Sequence, residues 1–503
     1  MDIIETEPVT QERFIRTGEA TAILPARDPK LTPITVIGTP EIRAKFDGLC
    51  IKQALNSRSA PGVSALVLNP DAHAGYGAPV GCVLASPTHI YPGPVGVDIK
   101  CSMSLLQLNV PAEVISDKPT RRALIDAIVE RVPTGAGRGH RSAKKARYIA
   151  RAVGLEAVTQ GASESVCREL GIPPVWAVRC EDAWHRGHDG TAEALGARWD
   201  ALQHGATKNL DSRFSQLGSY GGGNHFGECE VVQVADNPRS RFVAERFGLK
   251  DGHVAFLSHC GSRGFGYQLA NSQFRRLQEH FSRWNIPLPG DDRELVYAPL
   301  GTPEADAYID DMSLGANFAT VNHLLINALV LEAFAEVLPG TTGELVYMIS
   351  HNIARQEMMD GRKQWVHRKG ATRAFPAGHP ALADTPFADV GHPILLPGNP
   401  QAGSAVMVAA AGAEKSCFSV NHGAGRAMGR RSAIRQLDQH SIDESFASQD
   451  ILTNCRNYPR DEAPAAYKDF DQVLESVRLA GLADEVARLK ARFVIKDSDR
   501  ADD

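Results

Sequence analysis

VGVDIKCSMSLLQLNV, residues 95–110, joins a turn rich in chemical side chains to an apolar strand. A glycine turn carries Asp98 and Cys101 three residues apart. An apolar run with enough alternation to be a strand follows at 102–110. A turn at the mouth of a strand can aim a carboxylate and a thiolate at one point, and those groups hold divalent transition metals. Cys101 alone would read as a small buried hydrophobe. Its spacing from Asp98 is what points to a site.

The same pattern recurs along the chain. GGGNHFGE carries Asn224, His225 and Glu228, SHCGSRGFG carries His259, SHNIARQE carries His351 and VNHGAGR carries His422. Glycines beside each let backbone come close to a ligand or take φ > 0. VAFLSH (254–259) and LVYMISH (345–351) read as strands ending on a histidine, and AVMVAAAG (405–412) as a further buried strand ahead of His422. VSALVLNP (63–70) reads as a strand ending in proline that delivers Asp71 and His73 onto a glycine loop. Singly, His259 or His351 fits a core histidine satisfied by backbone. Four histidines at strand ends or glycine turns fit a shared site better. His73 fits a structural role as well as ligation, and His367, His379 and His392 read as solvated loop residues.

Helices fill the intervals at 118–131, most of 141–170, 190–208, 304–338 and 470–492. The expected fold is α+β, with mixed and antiparallel sheets converging on a metal site and helices outside. No linker separates the ligand segments, so residues 1–503 read as a single catalytic domain, with 135–210 a helical elaboration.

Composition narrows the class. A chain of 503 residues with 43% hydrophobic and 22% charged residues has the balance of a soluble globular protein. Its net charge of −5 confines any nucleic-acid contact to a local patch. Nine cysteines, an odd number with no CxxC pair, argue against a disulfide framework or a zinc ribbon and fit a reducing, cytoplasmic setting. The acidic start MDIIETEPVTQERF has no signal-peptide core. The most apolar helix, LLINALVLEAFAEVL (324–338), reads as too short to span a membrane. There is no GxxxxGK[ST] loop, no GxGxxG dinucleotide fingerprint and no HExxH helix. Three loops have the makings of anion nests instead: HRKGATRAF with Arg368, Lys369 and Arg373; LPGNPQAGSAV; and NHGAGRAMGRR with Arg426, Arg430 and Arg431.

PDAHAGYGAPVG, VGVDIKC, LGSYGGGNHFGE, HCGSRGFG, HNIARQE, HRKGATRAFPAG and NHGAGR together resemble, in order, the signatures of the RtcB family of RNA ligases, from about residue 20 to Lys496. The resemblance implies an enzyme that joins RNA 2′,3′-cyclic phosphate or 3′-phosphate ends to 5′-hydroxyl ends, using GTP and manganese through a histidine–GMP intermediate. It implies His422 as nucleophile and Cys101 bridging two Mn²⁺, one also held by His259 and His351, the other by Asp98 and His225. Asn224, Phe226, Glu228, Asn352, Asn399, Ser404, Ala424, Gly425, Tyr467 and Lys496 would form the GTP pocket. Arg263 and Arg426 would meet RNA phosphate. Related ligases often depend on an archease partner.

The chain also departs from the family pattern. DIKCSMS stands where DINCG is usual, so Lys100 is expected to place a positive charge beside Cys101. NHFGE replaces NHFLE, VIKD replaces VIKG, and Asn399-Pro400-Gln401 alters the nucleotide loop. These changes leave room for an enzyme that caps 3′-phosphate ends of RNA or DNA, or for an end-binding protein with vestigial catalysis.

Overall fold

His351 sits where the chain passes from one β-sheet into another. The strand Gly343–Ser350 before it is at one edge of an eight-stranded sheet, and Asn352–Met359 after it is at the edge of a seven-stranded one. In this computed structural model, which describes residues 13–497 except 138, 206, 208 and 285, that crossing organises the molecule. Along the eight-stranded sheet, Gly343–Ser350 is followed by Ser102–Pro111, His253–Cys260, Phe226–Val234, Ala483–Lys496, Gly403–Ala409 and Pro393–Asn399. Leu452–Thr453 adds in parallel to Ala483–Lys496. The seven-stranded sheet runs Ile15–Arg16, Thr21–Leu24, Ile34–Ile37, Ala65–His73, Val80–Ser86, Arg362–Lys369 and Asn352–Met359, with one parallel pairing, Ile34–Ile37 on Ala65–His73. The expected mixed and antiparallel α+β architecture is what the chain forms.

The helix Pro303–Val337 is the main packing element of the eight-stranded sheet. Thr302 caps its N-terminus by accepting from the Ala305 amide, and Pro303 opens it, where a missing N–H costs nothing. Leu314, Phe318, Leu324 and Leu325 are fully buried and join one core with Leu106, Phe256 and Trp199. Burying each such side chain contributes about 1.5–3 kcal/mol. Helices Lys118–Val129, Arg151–Gln160, Ala192–Gln203 and Arg263–Trp284 pack on it. At 35 residues it matches the expected 304–338 span to within one residue at each end, and it is long and apolar enough to cross a membrane, but 83% of its most apolar window is buried inside the protein. It is a core helix because the chain surrounds it, with apolar neighbours for its leucines and phenylalanines and polar partners for Asp311, Asn317, Asn322 and Asn327.

Several expected boundaries move. The span 470–492 is not one helix: Phe470–Leu479 is helical, Gly481 turns the chain at φ 72°, and Ala483–Lys496 is a strand at the middle of the sheet. Leu489, Ala491 and Phe493 are buried between the more exposed Arg488, Lys490 and Arg492, an alternation that marks a strand, and from Phe493 to Lys496 every residue is buried. The span 141–170 splits into Arg151–Gln160 and Glu164–Leu170 around Gly161, which has φ 63°. In 190–208 the helix covers Ala192–Gln203, while residues 206 and 208 lie outside the described residues, as does most of the acidic N-terminal stretch, residues 1–12. The strand of residues 63–70 continues through Pro70 to His73, with broken pairing between Leu68 and His73. Proline is tolerated there because no ladder bond needs its nitrogen.

Candidate functional site

Register does the work of assembly. Ser102 pairs with Cys260 and with Ser350, while His259 pairs with Phe226. Cys101, His225, His259 and His351 therefore emerge side by side at one end of four adjacent strands. Two backbone bonds tie the turn down: the His351 amide donates to the Cys101 carbonyl at 2.9 Å and the Lys100 amide to the Asn352 carbonyl at 2.7 Å.

The ring nitrogens show how this cluster is prepared. His225 Nδ1 donates to the Tyr220 carbonyl at 2.9 Å, and His259 Nδ1 to the Asn224 carbonyl at 3.2 Å. In the neutral rings those bonds leave the Nε2 lone pairs facing inward. His225 Nε2 is 2.9 Å from Asp98 Oδ2 and 3.5 Å from Cys101 Sγ; His259 Nε2 is 3.1 Å from Cys101 Sγ and 3.3 Å from His351 Nε2. His351 Nδ1 is buried without a partner. Electron pairs facing one another at such distances need a cation between them, either extra protons or a metal. The ligand atoms of Cys101, His259 and His351 form one compact group and those of Asp98, Cys101 and His225 another, each within 4.8 Å, with Cys101 shared. The site fits two metal ions.

Electrostatics agree with that fit. Burial, reinforced by neighbouring imidazoles, pushes His259 and His351 well below the usual histidine range, so both stay neutral. Burial works to raise Asp98, but His225 and Cys101 beside it outweigh burial and hold the carboxyl at about 2. Burial and the Asp98 charge push the Cys101 thiol up, which a bound divalent cation would reverse.

His422 follows the short strand Ser419–Asn421, and its ring lies 4.8 Å from that of His351. Its Nδ1 contacts Asp71 Oδ2 at 2.6 Å, and its amide donates to the same oxygen at 3.2 Å. Asp71 is fully buried, in the unpaired stretch of its strand. The sequence marked it only as a strand end, so its part in holding His422 was missed. Gly425, at φ 72°, lets this loop cross Asp71: a Cβ there would lie 2.3 Å from the Asp71 carbonyl oxygen. His73 is a neighbour of this pair rather than a member of either ligand group; its Nδ1 donates to the Asp71 carbonyl, and burial lowers its pKa to about 4.

A cavity of about 850 Å³ opens over His422, His259, His351 and Cys101. Asn224, Phe226, Glu228, Asn352, Asn399, Ser404, Ala424, Gly425, Arg426, Tyr467 and Lys496 all line it. Its far end is organised by Glu462, which sequence reasoning missed although it lies five residues before Tyr467. Glu462 accepts from Tyr467 Oη at 2.7 Å, Lys496 Nζ at 3.1 Å, Arg430 at 2.6 Å and Arg426 at 3.4 Å. Arg426 also donates to the Asp461 and Met428 carbonyls. Burial works to raise Glu462, but Lys496, Arg430 and Arg426 hold it at about 2, below the ordinary ~4.3. A depressed carboxyl contributes stability that is present above its unfolded pKa and lost as pH falls through its folded one. The melting-temperature advantage of wild type over Glu462→Gln is therefore expected to shrink as pH falls from about 4.5 towards 2. An advantage that does not change over that range would contradict the assignment of Glu462 as the ionised hub. Burial pushes Glu228 up to about 8, against the pull of Lys496 and of its hydrogen bond with Glu230.

The remaining motifs divide. Asn399 Oδ1 accepts from the Gln401 and Ala402 amides, a turn that shapes the cavity rim. HRKGATRAF is not a loop: it spans parts of the strands Arg362–Lys369 and Ala371–Arg373. Arg368 is buried in a two-pronged contact with Glu357, and Arg373 pairs with Glu181, so neither is free for phosphate. Of that motif's cations only Lys369 reaches the cavity. His367 and His392 are buried rather than solvated, the first donating to the Leu84 carbonyl. His379 is partly exposed, stacked on Phe375. Lys100 does not face Cys101. A φ of 52° turns it back, and its ammonium donates to the Asp182 carbonyl at 2.7 Å and Thr320 Oγ1 at 2.6 Å, beside Glu181 and Asp182. Gly227 of NHFGE has Tyr220 packed on it: a Cβ there would lie 2.3 Å from Tyr220 Oη. All nine cysteines are free thiols.

A second cavity, about 1200 Å³, reaches Asp98 and His225, with Arg213, Arg263, Arg275 and Tyr267 on its walls. Arg263 has φ 54° and donates to Ser219 Oγ at 3.1 Å and the Gly135 carbonyl at 3.2 Å.

Comparison with known proteins agrees with this geometry. The family model described as "tRNA-splicing ligase RtcB" matches residues 53–497. The "tRNA-splicing ligase RtcB" of Thermococcus kodakarensis is 35% identical over 464 residues, covering 89% of this chain and 90% of that protein. The protein of the same name from Pyrobaculum aerophilum is 35% identical over 467 residues, covering 89% and 91%. The "RNA-splicing ligase RtcB" of Mycobacterium bovis is 35% identical over 448 residues, covering 87% and 98%. With the match spanning the whole eight-stranded sheet, four strands of the seven-stranded one and every ligand turn, the chain belongs to the RtcB family.

Proposed function

We propose that this protein joins RNA ends, linking a 2′,3′-cyclic phosphate or 3′-phosphate terminus to a 5′-hydroxyl, with GTP and two Mn²⁺ ions and through a guanylylated His422. The observation that carries the reading is the His422–Asp71 contact. With Nδ1 held at 2.6 Å by a buried carboxylate, Nε2 is the nitrogen left to react, at the wall of a cavity that also touches both ligand groups.

Cys101, His259 and His351 would hold one ion and Asp98, Cys101 and His225 the other. When bound, the ions supply charge neutralisation for phosphate and pyrophosphate oxygens. His422 Nε2 attacks the α-phosphorus of GTP, forming an N–P bond as the bond to pyrophosphate breaks. Asp71 keeps the Nδ1 proton and balances the charge that develops on the ring. An oxygen of the RNA 3′-phosphate then attacks the same phosphorus and releases His422. Finally the 5′-hydroxyl oxygen attacks the RNA phosphate, its proton passing to solvent, GMP leaves and the phosphodiester forms. A 2′,3′-cyclic end is first opened by water to the 3′-phosphate.

Glu228 reads the guanine edge, while Tyr467 and Lys496, braced by Glu462, close the base end. Asn224, Asn352, Asn399 and Ser404 surround the phosphates and sugar. RNA lies in the second cavity, where Arg263 meets phosphate. The test is a joining assay with RNA and DNA strands ending in 2′,3′-cyclic phosphate, 3′-phosphate or 3′-hydroxyl, each offered a 5′-hydroxyl partner. Joining of the RNA phosphate ends, dependent on GTP and Mn²⁺, is the expected result. Guanylylated 3′-phosphate ends that accumulate unjoined would replace joining by capping, and no reaction with any end would overturn both.

A further inference from the structure

The geometry points to Lys468 as a positioning residue that sets Asp71 against His422. This rests on the reading of His422 as the nucleophile and concerns a side chain to which neither the ligand groups nor the nucleotide pocket assigns a role.

Lys468 is almost fully buried. Its ammonium donates to the Pro70 carbonyl at 3.0 Å and the Ala72 carbonyl at 2.7 Å, the two carbonyls flanking Asp71. Its own amide donates to the Gly425 carbonyl at 2.9 Å, within the loop that carries His422. One residue thus holds the Asp71 segment by its side chain and the His422 loop by its backbone. The Asp71 stretch needs such a hold, because ladder pairing is broken between Leu68 and His73 and Pro70 has no N–H to give. The ammonium also lies 4.9 Å from the face of Phe46, which favours a cation there. A buried cation also offsets the charge of Asp71, whose carboxylate faces His422. Lysine suits the position: a compact ammonium with three donors can serve two carbonyls at once.

Lys468 therefore acts through Asp71, and its loss is expected to slow the guanylylation step while leaving GTP binding alone. The experiment measures, in full-length protein with Mn²⁺, the single-turnover rate of covalent GMP formation and the Kd for GTP in wild type, Lys468→Met, Asp71→Asn and the double variant. Lys468→Met keeps the side chain's length and removes the charge. A rate loss of roughly 100-fold, the scale of a small misplacement at a reacting group, is expected, with Kd within about threefold. The double variant is expected to be no slower than Asp71→Asn, since residues acting through one contact are not additive. Lys468→Arg, which keeps a donor cation, is expected to recover part of the rate, and this comparison stands if Lys468→Met does not fold.

Wild-type labelling in Lys468→Met, a loss confined to Kd, losses that multiply in the double variant, or a folded Lys468→Arg no faster than Asp71→Asn would each overturn the assignment. If wild type itself forms no covalent GMP, the reading of His422 fails instead, and the two failures are told apart by that one control.

Discussion

His422→Ala is expected to abolish RNA joining and covalent nucleotide labelling, by about 10⁴-fold or more, while metal content stays at the wild-type value and the melting temperature falls only by what the loss of one buried hydrogen bond costs. The size follows from the role: a nucleophile that carries the transferred group has no substitute within reach. Asp71 loses its imidazole partner, and His351 loses a ring neighbour at 4.8 Å, but none of the ligand atoms of Asp98, Cys101, His225, His259 or His351 is touched. The check is a time course of labelling beside elemental analysis and a melting curve. If His422→Ala loses metal as well as labelling, then His422 is a ligand and the division between the metal cradle and the nucleophile fails.

Cys101→Ala is the second large effect. Cys101 is the one side chain common to both ligand groups, so its removal takes an atom from each. Loss of a shared ligand exceeds the roughly 10–100-fold in metal affinity that follows removal of a group merely supporting a ligand. Titration with Mn²⁺ is expected to show both sites weakened together, and labelling is expected to vanish with them. Weakening at one site only would show that the thiolate belongs to one group, and labelling at the wild-type rate would remove Cys101 from the site.

The legible parts of this protein were those with local signatures. Glycine turns with Asp98, Cys101, His225, His259 and His351 announced themselves because each needs a chemical side chain beside backbone that must turn sharply. The strand ends at His259 and His351 could be read because β-branched and apolar runs stop there. What sequence alone missed depends on distance in the chain. Asp71 meets His422 across 351 positions, and Glu462 gathers Arg426, Arg430, Tyr467 and Lys496 by tertiary approach alone. Lys100 misled for a backbone reason: adjacency to Cys101 says nothing about direction, and a positive φ sends its side chain to Asp182 and Thr320. Arg368 and Arg373 misled because a glycine between cations looks like an anion nest, yet Glu357 and Glu181 from other segments neutralise them inside the fold. The strand Ala483–Lys496 was hidden behind helix-forming Ala, Glu, Leu, Lys and Arg, whose propensity gives way when a partner strand waits on each side, Gly403–Ala409 and Phe226–Val234.

Covalent guanylylation of His422 is read out by mass spectrometry of peptides from protein incubated with GTP and Mn²⁺ and digested without acid. The expected result is the mass of GMP on the peptide containing Asn421-His422-Gly423, absent when the metal is chelated. GMP on any other residue, or no adduct under conditions where RNA ends are joined, would contradict it.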